Sequence, residues 1–165
     1  SRGLGDVYKR QITHLTNSVL TFSDLITNRK TDYKFDLEKF TNVNGKTGIY
    51  IQYSQVRAKK LIETIDNHKE EIKELVLNKT DKQLLSKLFL FSHYLEQSAL
   101  LNEPHHLANY LYEISNLFNQ FYENEKLTSI TDPNQIASKL YIIDLFLTTS
   151  HNTMFCLGIL PVDKM

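Results

Sequence analysis

Apolar residues recur at three- and four-residue intervals along most of the chain after Gly48, which is the spacing of one face of an α-helix. The first apolar set is Ile51, Ala58, Ile62 and Ile65. Later sets predict three more amphipathic helices, with the apolar faces Leu84, Leu85, Leu88 and Leu95; Leu107, Leu111, Ile114, Phe118 and Phe121; and Leu140, Ile143, Leu147, Met154 and Leu157. Together with a short helix over the mixed-charge stretch from Glu70 to Leu77, the pattern predicts an all-α bundle of about five helices.

Polar and helix-breaking residues mark where these helices begin and end. Thr80, with Gln83 three residues later, resembles a capping box at the start of the helix that contains Leu84 to Leu95. Asp132 followed by Pro133 predicts a capped start for the last helix. Gly158 predicts its end, since glycine readily adopts the left-handed conformation that stops a helix.

The pattern weakens before Gly48. The stretch from Val19 to Phe40 has short apolar clusters without a period and predicts an irregular, partly extended segment. Residues 42–48, with Asn-Gly and a second glycine, predict a turn. The first eleven residues, Ser1 to Gln11, look like a loop and resemble a translated transposon-end adapter from sequencing libraries. We therefore expect the native polypeptide to start near Ile12, with residues 1–11 forming no domain.

Composition supports a helical globular domain. The 165 residues are 41% hydrophobic and 23% charged, with only 5 glycines and 3 prolines. This length is enough for one domain with a core of its own. So few helix breakers favour helices over strands and loops.

Charge and cysteine content narrow the class of partner and the compartment. The 19 basic residues balance 19 acidic ones. Removing the adapter-like segment leaves 16 and 18, a net charge of about −2, which argues against binding DNA through a broad basic face. Cys156 is the only cysteine, so no internal disulfide can form and the reducing cytoplasm is the expected compartment. The most apolar run, Leu140 to Leu160, contains Asp144 and predicts a buried helix rather than a membrane span.

Catalytic and metal-binding motifs are missing from the sequence. It has no phosphate loop, no Gly-x-Ser-x-Gly and no His-Glu-x-x-His. His105 and His106 are adjacent, so we expect them to point to different sides of a helix start and to make a poor metal pair. The sequence therefore predicts no catalytic, cofactor or metal site.

Two tyrosines and an arginine form a second stripe on the helix that begins at Gly48. At about 100° per residue, Tyr50, Tyr53 and Arg57 fall on one side, next to the core stripe. Aromatic rings and a guanidinium on a partly exposed face can stack on unpaired bases and hold a phosphate. The alternative is that both tyrosines pack at the core boundary and carry no function.

Three blocks in the sequence resemble arginyl-tRNA synthetases. The stretch GKTGIYIQYSQVRAKKLI is similar to that family's Thr-Gly-Pro-Tyr-x-x-Tyr-x-x-x-Arg, with Ile49 in place of the usual proline. The stretch EPHHLANYLYEISNLFNQFYEN resembles a second block, with matches at Pro104, His105, Leu107, Ala108, Tyr110, Phe118, Phe121 and Tyr122. The ending LGILPVDKM resembles the family's C-terminus, with the spacing different by one residue.

The resemblance implies the C-terminal part of an arginine–tRNA ligase, a class I synthetase. Residues 12–47 would then be the end of the catalytic region or a linker, and residues 48–165 the helical anticodon-binding domain. By this resemblance, the residues near the anticodon loop are Tyr50, Tyr53, Arg57, Tyr122 and Met165. It also implies arginine tRNA as the partner, no DNA or membrane partner, and a monomeric parent enzyme that uses ATP with Mg²⁺.

Two other functions stay open at this point. A free-standing helical RNA-binding module would share the site but have no catalytic region upstream. A helical protein-interaction domain would fit the near-neutral charge and would have no affinity for tRNA at any salt concentration.

Overall fold

A computed structural model describes residues 2–32, 36–65, 74–124 and 130–163. Every regular element within these ranges is a helix, so the prediction of an all-α fold is confirmed. The helices are α1 (Arg2–Leu25), α2 (Leu37–Phe40), α3 (Gly48–Ile65), α4 (Lys79–Leu88), α5 (Phe91–Leu101), α6 (His105–Asn124) and α7 (Pro133–Cys156).

The prediction of an irregular N-terminal segment is wrong for its first part and for its end. The residues from Val19 to Leu25 belong to α1, and α2 ends at Phe40. Phe22 and Ser18 of α1 are fully buried. Serines between the apolar positions hide the helical period of α1, because a small hydroxyl can be buried when it bonds to the backbone of its own helix. Ser18 does so through the carbonyl of His14, at 2.8 Å.

The adapter-like segment is helical rather than a loop, since α1 begins at Arg2. Its Tyr8, Lys9 and Arg10 are exposed. The origin of this segment stays a prediction.

Two helices near residue 80 differ from the prediction. The capping box of α4 uses Asn78 and Asp81, not Thr80 and Gln83, because the Asn78 side chain accepts the Asp81 N–H while an Asp81 oxygen accepts the Asn78 N–H. The predicted continuous helix to Leu95 is interrupted after Leu88, and α5 begins at Phe91.

The helix predicted from Glu70 to Leu77 is not found where the structure can test it. Residues 74–77 are not helical, and residues 70–73 lie outside the described residues. In the described ranges from Gly48 onward there are still five helices, because α5 takes the place of the missing one.

The core forms around α6, as its apolar spacing predicts. Leu107, Leu111, Ile114, Phe118 and Phe121 are all buried. The ring of Phe118 stacks on Phe146 of α7 with a centroid distance of 4.2 Å and an interplanar angle of 6°.

The apolar faces of the other helices follow the sequence pattern with gaps. Ile51 and Ala58 of α3 are fully buried, whereas Ile62 is half-buried and the side chain of Ile65 lies outside the described residues. Leu84, Leu85, Leu88, Ile143, Met154 and Leu157 are buried, and Leu95, Leu140 and Leu147 are half-buried.

Both predicted ends of α7 are confirmed. The Asp132 side chain caps α7 by accepting the N–H of Asn134, and Pro133 is the first helical residue. Gly158 has φ +69° and follows the C-cap, Leu157. Its N–H donates to the Phe155 carbonyl while the N–H of Ile159 donates to Met154, the bonding pattern that ends many helices.

A buried ion pair joins α4 to α7. The ammonium of Lys139 lies 2.8 Å from both carboxylate oxygens of Asp81, and the two side chains are 1% and 0% exposed. The same ammonium lies 5.4 Å from the centre of the Phe121 ring of α6. The pair therefore ties three helices together inside the bundle.

The start of α3 is fixed against α1 and the C-terminal tail. The Gln52 amide donates to Ser18 and to the Leu160 carbonyl, and its oxygen accepts the Val162 N–H at 3.0 Å. A Cβ on Gly48 would collide with the Ser18 carbonyl, so only glycine allows this close approach of the two backbones. The division at residue 48 into two domains stays a prediction.

None of the helices in the described part of the chain has the length and apolar character needed to span a bilayer.

Replacing Lys139 by methionine should lower the free energy of unfolding by about 3–5 kcal/mol, because it leaves the Asp81 carboxylate buried without a counter-charge. Urea unfolding followed by circular dichroism measures this. The matched control is Lys59→Met, at a pair whose Asp163 partner is 89% exposed, where we expect a loss of no more than about 1 kcal/mol. Equal losses in the two variants would contradict a special role for the buried pair.

Candidate nucleic-acid interface

Helices α3 and α6 pack side by side, and polar and aromatic side chains from both meet along the line between them. We call this line the α3–α6 seam. Its members are Tyr50, Tyr53, Ser54 and Arg57 from α3, and Tyr112, Asn116, Asn119, Tyr122 and Glu123 from α6.

Arg57 is at the centre of one end of the seam. Its guanidinium carbon lies 4.2 Å from the centre of the Tyr53 ring and 4.6 Å from that of Tyr122. Both distances are within the range of cation–π attraction. The side chain is 22% exposed, so the guanidinium is held in place while part of it stays open to solvent.

Asn119 of α6 fixes the orientation of the Arg57 guanidinium. Its Oδ1 accepts a hydrogen bond from the Arg57 Nη1 at 3.2 Å, and its Nδ2 donates to the Ser54 hydroxyl at 2.8 Å. The Glu123 carboxylate is 3.8 Å from the same guanidinium and is 69% exposed. A pair this open to water is weak, and a phosphate can compete with it for the guanidinium.

A cleft of about 430 Å³ opens next to this end of the seam. Tyr53, Arg57 and Tyr122 line one part of it, and Lys59, Lys60 and Asp163 line another. Its volume suits a small ligand or one nucleotide. The carboxylate of Glu63 also lines the cleft, and Asp163 pairs with Lys59. The lining therefore offers rings for stacking together with Arg57 and Lys60 as cations for a phosphate.

Tyr50 lies further along the seam and differs from Tyr53. Its hydroxyl donates to the Asn116 Oδ1 at 3.2 Å, and its ring is 5.7 Å from that of Tyr112. Burial raises the pKa of the Tyr50 phenol, and the neighbouring Asn119 amide opposes this only in part. Tyr50 thus lines the seam with its ring and is anchored through its hydroxyl.

The predicted second stripe is present, because Tyr50, Tyr53 and Arg57 are all half-buried beside the fully buried Ile51 and Ala58. The structure also brings Tyr122 to this stripe. Met165, the fifth predicted residue, lies outside the described residues. A role for any of the five in RNA binding stays a prediction.

Apart from Tyr122, sequence reasoning missed the α6 side of the seam. Tyr112, Asn116 and Asn119 follow each other at four- and three-residue steps, which places them on one face of α6 beside its core stripe. A helical wheel of α6 would have grouped them. Only the packing of α6 against α3 shows that they face the tyrosines.

The expectation for the adjacent histidines is wrong. The rings of His105 and His106 are 4.1 Å apart rather than on different sides of the helix, and His106 lies 3.2 Å from Glu103. At the start of α6 no preceding helical turn constrains these side chains, so they can turn toward each other. Lys30 already pairs with Glu103, at 2.8 Å, and the positive end of the helix dipole disfavours a bound cation, so we assign no metal to this cluster.

Comparison with known proteins places the sequence in a family. The sequence model of the DALR anticodon binding domain matches residues 51–165. The arginine–tRNA ligase of Streptomyces coelicolor is 30% identical over 145 residues, which are 87% of this chain and 25% of that protein. The arginine–tRNA ligase of Francisella tularensis subsp. novicida is 35% identical over 129 residues, or 73% of this chain and 22% of that protein.

Solved structures share the fold. The Thermus thermophilus arginyl-tRNA synthetase superimposes with a TM-score of 0.80 at 21% identity, covering 90% of this chain and 26% of that one. The Plasmodium falciparum arginyl-tRNA synthetase superimposes with a TM-score of 0.78 at 24% identity, covering 99% and 32%. The chain thus spans about a quarter of the length of the curated relatives that it matches.

The phenol of Tyr50 should ionise above pH 10, because burial penalises the phenolate. The difference between ultraviolet titrations of the wild type and Tyr50→Phe isolates this one ring. In the unfolded chain the phenol ionises at about pH 10. The contribution of Tyr50 to stability is therefore complete below that pH and is lost as the pH rises through the higher native pKa. A difference curve with its midpoint at or below pH 10 would show that the ring is open to water.

Proposed function

The chain belongs to the DALR anticodon-binding domain family, and from this membership we propose that it binds the anticodon stem-loop of arginine tRNA. The observation that carries the proposal is the contact of Arg57 with the rings of Tyr53 and Tyr122 at the edge of an open cleft. The relatives with the same sequence pattern are arginine–tRNA ligases, which supports arginine tRNA as the partner.

Unpaired bases are the part of an RNA that this site suits. Bases that are splayed out of a loop expose flat faces, and tyrosine rings or a guanidinium plane stack on them. Tyr53 and Tyr122 already hold the guanidinium of Arg57, so the three groups offer a preformed platform. The guanidinium edge that is not bonded to Asn119 is available for a phosphate oxygen.

We propose further that the chain is the C-terminal part of a ligase whose other regions attach arginine to tRNA. ATP, with Mg²⁺, would be used there, since the sequence here has no phosphate loop and no His-x-Gly-His or Lys-Met-Ser-Lys motif. The lone Cys156 fits a cytoplasmic enzyme. A monomeric parent enzyme remains the simplest expectation.

The chain alone should give no arginine-dependent exchange of pyrophosphate into ATP. Its sequence lacks the motifs that hold ATP phosphates and the metal ions that bridge them. The measurement is an exchange assay with labelled pyrophosphate, run beside a complete arginine–tRNA ligase as the positive control. Robust exchange by this chain would refute the proposal that the catalytic residues lie in other regions of the ligase.

Tyr53→Ala and Arg57→Ala should each weaken binding of an arginine tRNA transcript to the full 165-residue chain. We expect at least a fivefold rise in Kd for Tyr53→Ala, since a stacking ring contributes about 1–3 kcal/mol. Arg57→Ala should also flatten the dependence of Kd on salt if the guanidinium contacts a phosphate. Filter-binding titrations at several salt concentrations measure both effects.

Tyr53→Phe and Arg57→Lys are the matched controls. The first keeps the ring and should bind like the wild type, whereas the second keeps the charge but loses the planar stack and should bind less tightly. Thermal melts of every variant separate binding from folding. If both alanine variants bind tRNA as the wild type does and only melt earlier, the rings are boundary packing and the proposed function fails.

A further inference from the structure

The other end of the α3–α6 seam has a second ring and cation, and neither is among the residues that the resemblance places near the anticodon loop. The ammonium of Lys46 lies 5.3 Å from the centre of the Tyr112 ring. Tyr112 is half-buried and packs against Tyr50 at an interplanar angle of 46°. Lys46 and Tyr112 thus combine a cation with an aromatic ring, as Arg57 and Tyr53 do at the opposite end of the seam.

A hydrogen-bonded turn places Lys46 next to Tyr112. The Thr47 hydroxyl donates to the Asn42 carbonyl at 2.6 Å and accepts the N–H of Tyr50 at 3.1 Å. Gly45 has φ +94°, a conformation that favours glycine. The turn predicted for residues 42–48 is thus confirmed, and it connects directly to the first turn of α3.

The contacts of Lys46 leave its charge available. Its ammonium donates to the Asn109 Oδ1 at 3.2 Å, and a neutral amide does not cancel a positive charge. The residue is exposed, and its flexible stem allows the ammonium to turn from the ring to a phosphate. Arg57, in contrast, has the Glu123 carboxylate within 3.8 Å.

The two ends are too far apart for one base. Arg57 lies seven positions after Tyr50, which touches Tyr112. This corresponds to about 10 Å along α3 at roughly 1.5 Å per residue. Stacked bases in one strand are about 3.4 Å apart. Any RNA that occupies both ends must therefore place different nucleotides on them.

We propose that Lys46 and Tyr112 form a second nucleotide subsite, in which the Tyr112 ring stacks on an unpaired base and Lys46 holds an adjacent phosphate. This rests on the proposed function, since it assumes that RNA occupies the Arg57 end. Between the two ends the seam carries the side-chain amides of Asn116 and Asn119. The RNA strand then runs along the seam from the turn at Lys46 to Arg57.

Binding of a fluorescent anticodon stem-loop of arginine tRNA to the full chain tests the subsite. Tyr112→Ala should raise the Kd by about fivefold or more. Lys46→Gln should reduce the slope of log K against log salt by about 0.7, the change for one single-strand phosphate contact. The double variant Tyr112→Ala/Arg57→Ala should show the product of the two fold-changes, since separate sites act independently.

Position-specific quenching shows whether two nucleotides are bound. The stem-loop is made with 2-aminopurine at one loop position at a time, and its fluorescence falls when the base stacks. Tyr112→Ala should abolish the quenching at one position and Tyr53→Ala at a different one. Loss at the same position in both variants would overturn the second subsite.

The controls keep the two proposals distinguishable. Tyr141→Ala and Lys82→Gln change an exposed tyrosine of α7 and an exposed lysine of α4 and should bind like the wild type. If Arg57→Ala weakens binding while Tyr112→Ala and Lys46→Gln do not, the subsite is wrong and the proposed function stands. If none of the three weakens binding, the proposed function itself fails. Should Tyr112→Ala not fold, Tyr112→Ser and the exposed Lys46→Gln still decide the question.

Discussion

The ion pair of Lys139 with Asp81 is the interaction on which the arrangement of the helices depends. Two charges that are completely out of water are tolerated only if they stay together. A shift of α4 relative to α7 would separate the ammonium of Lys139 from the carboxylate of Asp81 and leave both charges buried and unpaired. Asp81 also completes the capping box of α4, which means that the same carboxylate starts this helix and anchors it. Because Lys139 lies over the ring of Phe121, the pair also locates the last turn of α6. Tyr122, the next residue, reaches the seam from that turn.

The seam forms because α6 has two faces that pack inside the bundle, one apolar face in the core and one polar and aromatic face toward α3. Its core stripe, from Leu107 to Phe121, is buried and leaves the helix no freedom to rotate about its axis. The neighbouring stripe of Tyr112, Asn116 and Asn119 is therefore directed at α3 as a consequence of core packing. Asn119 shows the result, since it bonds to both Ser54 and Arg57 and so converts the position of α6 into the orientation of a guanidinium. For the proposed binding of unpaired bases, such positioning by packed neighbours reduces the cost of ordering the side chains.

How much of this was predictable differs between elements for physical reasons. The core stripe of α6 follows from sequence alone because its apolar residues recur without interruption. In α7 the polar residues Ser138, Lys139 and Thr149 interrupt the buried face, so only part of the predicted stripe is buried. The helix α1 was missed because Ser18 and Ser23 occupy buried positions where the pattern expects apolar residues. Lys139 could not have been assigned to the core, since its partner lies 58 residues away and only the tertiary structure brings the two together. The α3 part of the site could be predicted from the sequence, because Tyr50, Tyr53 and Arg57 share one helix. The asparagines of α6 could not be assigned to the site, because only the packing of α6 against α3 brings them to it.

Charge balance finally indicates what kind of RNA recognition this surface can support. The chain carries as many acidic as basic residues, and cations such as Lys87 and Lys59 are engaged by Glu113 and Asp163. Recognition of a duplex depends mainly on neutralising many phosphates, which this distribution does not provide. Under the proposed function, a seam of half-buried rings with one cation at each end favours binding through base stacking, in which few phosphate contacts fix the strand and the rings supply most of the free energy. Stacking requires bases that are not paired, and the loop of a stem-loop is where a folded RNA presents them.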